Sequence, residues 1–189
     1  MNLGAVGFDL EGARRPRNGI GELLAMEIDH FLRPADVMID VRAADKARLL
    51  GDLARRAAAR LGLDPDAVSA ALLQREELGS TGTGGGIALP HARLAEVKKP
   101  FALLARLAKA IDFDAIDGGP VDVVCLLLLP ANAQGEQLNA LACAARALRD
   151  PAAVSGVRRA ADAVALYDAL ATASAAASKH TTPAEPRAK

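Results

Sequence analysis

The chain reads as an α/β domain, a mixed β-sheet flanked by helices, and three observations support that reading. Short apolar runs bounded by turn residues alternate with longer stretches of helical periodicity, as interleaved strands and helices require. One such run, Val121 to Leu129, is almost wholly apolar and fits a central strand covered on both faces. The 189 residues are 51% hydrophobic, enough for a sizeable core.

Taken in order, residues 1–25 carry Gly4, Gly7, Gly12, Gly19 and Gly21 together with Arg14-Arg15-Pro16-Arg17 and show no sustained periodicity, so a flexible leader is expected. Met26 precedes a more ordered pattern and is an alternative translation start. The domain is expected over 26–172. Val37–Val41 reads as a strand, and Leu49, Leu50, Leu53, Ala57 and Leu61 mark a helix from Asp45 that ends at Gly62. Asp64 caps the next helix, with Pro65 at its first position and Ala67, Val68, Ala71 and Leu72 as its apolar face. A short apolar strand, Ile87 to Leu89, follows a glycine-rich loop, and Phe101–Leu107 and Val121–Leu129 are further strands. From Gly135 the chain returns to helix, with Leu138, Leu141, Ala142, Ala145 and Leu148 predicted on one face and a break at Asp150-Pro151. A last helix is expected over about Ala161 to Leu170, and 173–189, rich in Ala, Ser, Thr and Pro, is expected as a disordered tail.

Composition narrows the function. Lys plus Arg number 23 and Asp plus Glu number 23, so there is no net field to hold nucleic acid or an acidic membrane surface. One Tyr, four Phe and no Trp leave few platforms for base stacking. Cys125 and Cys143 stand among Val, Leu and Ala and read as buried small hydrophobes. No apolar stretch approaches the roughly 20 residues of a membrane span, and a cytoplasmic protein is expected. Asp112, Asp114, Asp117 and Gly118 have the wrong spacing for a calcium loop and lack its closing glutamate. They read as a polar turn, and neither a metal nor a cofactor is expected.

The segment Arg75-Glu76-Glu77-Leu78-Gly79-Ser80-Thr81-Gly82-Thr83-Gly84-Gly85-Gly86-Ile87-Ala88-Leu89-Pro90-His91 sets a glycine-rich loop and one histidine at opposite ends of an apolar strand. Neutral imidazole is a nucleophile near pH 7, and backbone N–H groups of a glycine turn can hold an anion. The expectation is a phosphohistidine site, with His91 as nucleophile, Arg75 stabilising charge, and Ser80, Thr81, Gly82, Thr83, Gly84, Gly85 and Gly86 holding phosphate. Nucleotide-binding readings fail on order: a P-loop needs Gly-Lys-Ser/Thr before a helix, and a dinucleotide loop follows a strand, whereas this loop follows a helix and opens a strand.

Arg75-Glu76-x-x-Gly79-Ser80-Thr81-Gly82, then Gly86-Ile87-Ala88-Leu89-Pro90-His91, then Phe113-Asp114-Ala115-Ile116-Asp117 before Pro120-Val121 resemble the enzyme IIA domains of the phosphoenolpyruvate-dependent phosphotransferase system. The resemblance spans roughly Ile28 to Leu170 and is strongest to the nitrogen-regulatory branch of the mannitol/fructose class. It implies the mannitol-type IIA fold and a phosphoryl group on His91. It also implies a histidine-phosphorylated donor of the HPr or NPr type, itself charged by enzyme I. The implied role is a relay component that reports to regulatory target proteins rather than an independent catalyst. The alternative is a sugar-pathway IIA that donates to a IIB domain; no IIB or transporter segment lies among these residues. Gln137 stands where many relatives carry a second histidine, and is a candidate second position at the site. Thr83 and Ala92 are smaller departures from the family pattern.

Overall fold

The computed structural model describes residues 26–179, apart from the side chains of Gln134 and residues 177–179. Residues 1–25, where the leader was expected, and 180–189 lie outside the described residues. Short 3₁₀ turns at Ile28–His30 and Pro34–Asp36 lead into β1 (Val37–Val41), which is followed by α1 (Lys46–Leu61) and α2 (Pro65–Glu77). Local chemistry sets these boundaries. The Asp45 carboxylate accepts from Arg48 N at 2.7 Å, Gly62 ends α1 in the left-handed region at φ 68°, and the Asp64 carboxylate accepts from Asp66 N at 3.0 Å. Of the expected α2 face, Val68 and Leu72 are buried, but Ala67 is exposed.

The next segment departs from the expected single strand. Gly82–Gly84 (β2) and Ile87–Ala88 (β3) form a hairpin, Pro90 interrupts, and His91–Leu94 (β4) resumes the strand. β5 (Phe101–Ile111) is longer than expected, and β6 (Val121–Pro130) is antiparallel to it, with Leu104 opposite Cys125. The sheet runs β1-β5-β6-β3-β2, with β4 also on β6. β3 and β4 are both parallel to β6, at Val123–Val124 and Leu127–Pro130 respectively, so they lie end to end along one edge of it. Lacking an N–H, Pro90 punctuates the ladder between them, while its carbonyl still accepts from Leu127 N at 2.8 Å.

β6 is the central strand expected from its composition. Val123, Cys125, Leu127 and Leu129 pack with α3 (Gln134–Ala147), α4 (Pro151–Arg159) and α5 (Ala163–Lys179), while Val124, Leu126 and Leu128 pack with α1 and α2. The mixed sheet flanked by helices is therefore observed. Both cysteines are buried thiols, and burial pushes Cys125 up to about 12.

Three helical expectations need correction. The buried residues of α3 include Gln137, Ala140, Cys143, Ala144 and Ala147, with Leu148 at its C-cap, while Leu138 is 57% exposed. Small residues let this helix approach the sheet closely, and the leucine rides outside the contact. Asp150-Pro151 breaks α3 but also starts α4, since the Asp150 carboxylate accepts from Ala152 N at 2.8 Å. The last helix runs through Lys179 rather than ending near Leu170, because Ala173 and Ser174 are buried and Ser174 Oγ accepts from Ile28 N at 3.0 Å. That burial also removes 173–179 from the expected tail.

Candidate functional site

α2 ends beside the start of β4, and this juxtaposition makes the site. Arg75, in the last turn of α2, directs Nε–H to Nε2 of His91 at 3.0 Å and Nη1–H to the Gly79 carbonyl at 2.9 Å. On the other side of the ring, Nδ1 lies 2.9 Å from the Leu89 carbonyl. A carbonyl can only accept, so Nδ1 carries the proton and Nε2 keeps its lone pair. Burial pulls His91 below the ordinary histidine value of 6.5, helped by the charges of Arg75 and Arg93 and opposed by the Leu89 bond and Glu76. The result is a neutral imidazole at pH 7, with its nucleophilic nitrogen facing a guanidinium.

His91 opens on a shallow concavity lined by Ala71, Gln74, Arg75, Leu78, Ala92 and Arg93. Arg93, two residues along β4 from His91, leaves the strand on the same side and supplies a second cation. The His-x-Arg alternation was the sequence signal that could have shown it. Leu78 is 84% exposed at the rim.

The residues of the expected phosphate loop are engaged with partners inside the protein. Ser80 Oγ donates to the Phe113 carbonyl at 2.7 Å and accepts from Gly82 N at 3.1 Å. Thr81 is buried, with its N–H and O–H given to the Glu76 carboxylate at 3.0 and 2.7 Å. Thr83 Oγ1 donates to the Ile87 carbonyl, and Gly85 N–H donates to Asp117 at 2.8 Å. Gly84, Gly85 and Gly86 take φ of 88°, 65° and 80°, so the glycine run is the turn of the β2–β3 hairpin. Gly84 and Gly85 line a different cleft with Arg149 and Arg158, and no residue from Ser80 to Gly86 lines the concavity at His91. The expected polar turn has a task here: Asp117 clamps the hairpin tip, and its bonds from Gly85 and Gly119 hold its carboxyl below the usual carboxylate range.

Gln137 is 1% exposed, and its amide donates to the carbonyl of Pro130. That carbonyl lies three residues beyond Leu127, the partner of His91 on β6, or roughly 10 Å along the strand. The Gln137 amide N–H is thus committed to the end of β6, and the hydrogen bonds of the imidazole go to Arg75 and Leu89.

Two residues that sequence reasoning gave no role stand behind the site. Glu76 is buried, with Lys46 Nζ 3.2 Å away. Lys46 also reaches Asp114 at 2.7 Å and lies 5.2 Å from the centroid of the Phe113 ring. Burial alone would lower Lys46, but its bonds to Asp114 and Glu76 prevail and raise it.

Comparison with known proteins places this geometry among relatives. The family model described as phosphoenolpyruvate-dependent sugar phosphotransferase system, EIIA 2, matches residues 30–173. A nitrogen regulatory protein of Bradyrhizobium diazoefficiens is 42% identical over 146 residues, covering 77% of this chain and 95% of the relative. The crystal structure of nitrogen regulatory protein IIA-Ntr from Neisseria meningitidis superposes with a TM-score of 0.70 at 31% identity, over 80% of this chain and 98% of that one. IIA mannitol from Escherichia coli shares the fold, with a TM-score of 0.61 at 19% identity over 72% of this chain and 96% of that one. Among the described residues no helix is long and apolar enough to cross a membrane.

Proposed function

The chain belongs to the EIIA 2 family of the phosphoenolpyruvate-dependent sugar phosphotransferase system, and on that premise we propose that it is a nitrogen-regulatory phosphohistidine carrier with His91 as the acceptor. One observation carries the reading. The His91 ring is held by the Leu89 carbonyl in the tautomer that leaves Nε2 unprotonated, and Nε2 faces Arg75 at the floor of an open concavity.

In the transfer, the Nε2 lone pair attacks the phosphorus of a donor phosphohistidine. The donor's phosphorus–nitrogen bond breaks, and its electron pair returns to the donor imidazole. The proton stays on Nδ1, donated to the Leu89 carbonyl, throughout, so His91 needs no proton relay and Gln137 is under no demand to supply one. Arg75 releases the lone pair and turns its N–H donors to the phosphoryl oxygens, with Arg93 adding charge from the same side. This is positioning plus electrostatic stabilisation. The exposed Leu78 offers an apolar foothold to the incoming carrier, of the HPr or NPr type.

The relationship to nitrogen regulatory proteins, which spans 95% of the Bradyrhizobium relative, supports output to regulatory targets, in the cytoplasm where phosphoenolpyruvate is available. The test is to charge the protein from phosphoenolpyruvate through enzyme I and the carrier. Its transfer to an isolated fructose- or mannitol-type IIB domain is then compared with capture of lysate proteins by the phosphorylated and unphosphorylated forms. Partner sets that depend on phosphorylation, with slow transfer to IIB, support regulation. Efficient transfer to IIB with identical partner sets would replace it with a sugar-pathway role.

A further inference from the structure

Glu76 adjoins Arg75 in α2 and is 8% exposed, with a carboxylate that is fully engaged. Oε1 accepts from Thr81 N at 3.0 Å, Oε2 accepts from Thr81 Oγ1 at 2.7 Å, and Lys46 Nζ balances the charge at 3.2 Å. Two chains of contacts run from this anchor to the imidazole. In one, the Thr81 carbonyl accepts from Leu89 N at 3.0 Å, and the Leu89 carbonyl accepts from His91 Nδ1 at 2.9 Å. In the other, Gly79, two residues before Thr81, accepts from Arg75 Nη1 at 2.9 Å, and Arg75 Nε donates to His91 Nε2 at 3.0 Å. Both ring nitrogens are therefore referenced to one buried carboxylate.

We propose that Glu76 is a positioning residue that locks His91 in the tautomer protonated on Nδ1. The protonated nitrogen of a histidine is set by the hydrogen bond made at the other one, and here that bond depends on where Thr81 holds Leu89. A buried carboxylate with both oxygens bonded and a counter-ion in place is a stiff anchor, because releasing either bond leaves charge or a donor unpaired away from water. If Thr81 relaxes, Leu89 shifts, the Nδ1–H bond loosens, and the proton moves to Nε2, where it blocks the attacking lone pair. The inference rests on the carrier reading only for its kinetic arm.

Long-range proton–nitrogen NMR of the imidazole, in full-length wild type, Glu76→Ala, Glu76→Gln and Thr81→Val, reads the tautomer directly. Wild type is expected to show the Nδ1–H form alone at neutral pH. Glu76→Ala and Thr81→Val should show a mixture with the Nε2–H form and accept phosphate about tenfold more slowly at unchanged KM for the carrier. Glu76→Gln, which can still accept from the Thr81 N–H, should recover most of both. Thr81→Val is nearly isosteric and decides the matter if Glu76→Ala does not fold. A wild type already mixed, or variants that keep the wild-type tautomer whatever their rates, would overturn the proposal. The tautomer measurement needs no relay, so a wild type that is never phosphorylated would sink the carrier reading and leave this one standing.

Discussion

The Nε–H of Arg75 donates to Nε2 of His91 at 3.0 Å, so the guanidinium occupies the lone pair that a phosphoryl acceptor must use. In the resting protein the arginine thus covers that nitrogen. It sits beside the nitrogen that a phosphoryl group would join, and exchange of partners costs little because the planar fork offers several N–H donors.

Arg75→Ala is expected to slow phosphoryl acceptance at least tenfold, about 1.4 kcal/mol of barrier, with little change in melting temperature. Arg75→Lys should restore charge without the fork and recover only part of the rate. Single-turnover transfer from the phosphorylated carrier measures both. A rate equal to wild type in Arg75→Ala would reduce the arginine to a solvated helix-end cation.

The lowered basicity of His91 has a definite sign. Its folded-state value lies below the ordinary 6.5, so between the two the unfolded chain binds more protons and stability rises with pH. The contribution is full above 6.5 and is lost as pH falls through the folded value. NMR titration of the His91 ring should therefore show a midpoint below 6.5, and Arg75→Met should move it up. A wild-type midpoint above 6.5 would contradict the burial and charge assigned here.

Gly86→Ala separates the hairpin role of the glycine run from an anion-holding one. Gly86 has φ 80°, and an added Cβ would lie 2.8 Å from Asp122 Oδ1 and against the Arg158 guanidinium. The variant should lose about 1–3 kcal/mol in chemical denaturation, while the folded fraction accepts phosphate at the wild-type rate. A stable variant that transfers slowly would return these glycines to the phosphate site.

Gln137→Ala strips the buried Pro130 carbonyl of its amide donor and should cost about 1–3 kcal/mol. Phosphate exchange with the carrier should stay near wild type, since no proton has to leave His91. A large change in exchange rate without loss of stability would put position 137 back beside the ring.

Much of the scaffold was legible because its signals are local. Asp45, Gly62, Asp64 and Pro65 each act within a few residues, and the apolar run of β6 needs burial on both faces wherever it sits. His91 and Arg75 stood out through their spacing and the family pattern. The glycine run is ambiguous in sequence because a hairpin and an anion cradle both demand positive φ, and the contacts that shape the hairpin, Asp117 to Gly85 and Arg158 to Asp122, cross 32 and 36 residues. Lys46 with Asp114, 68 residues apart, was invisible for the same reason. On α3, Leu138 drew the apolar face toward itself, while the real contact is made of Ala140, Cys143, Ala144 and Ala147, whose small size favours close packing over bulk. The splitting of the strand into β3 and β4 follows from Pro90, which has no N–H to give to the ladder.

Intact mass spectrometry reads whether His91 takes the phosphoryl group. Wild type and His91→Ala are incubated with phosphoenolpyruvate, enzyme I and an HPr- or NPr-type carrier, then weighed before and after mild acid. Wild type is expected to gain one phosphoryl group, lost in acid as a phosphoramidate is, and His91→Ala to gain none. An acid-labile phosphoryl group on His91→Ala, or a wild type that gains nothing from a carrier shown to be charged, would contradict it.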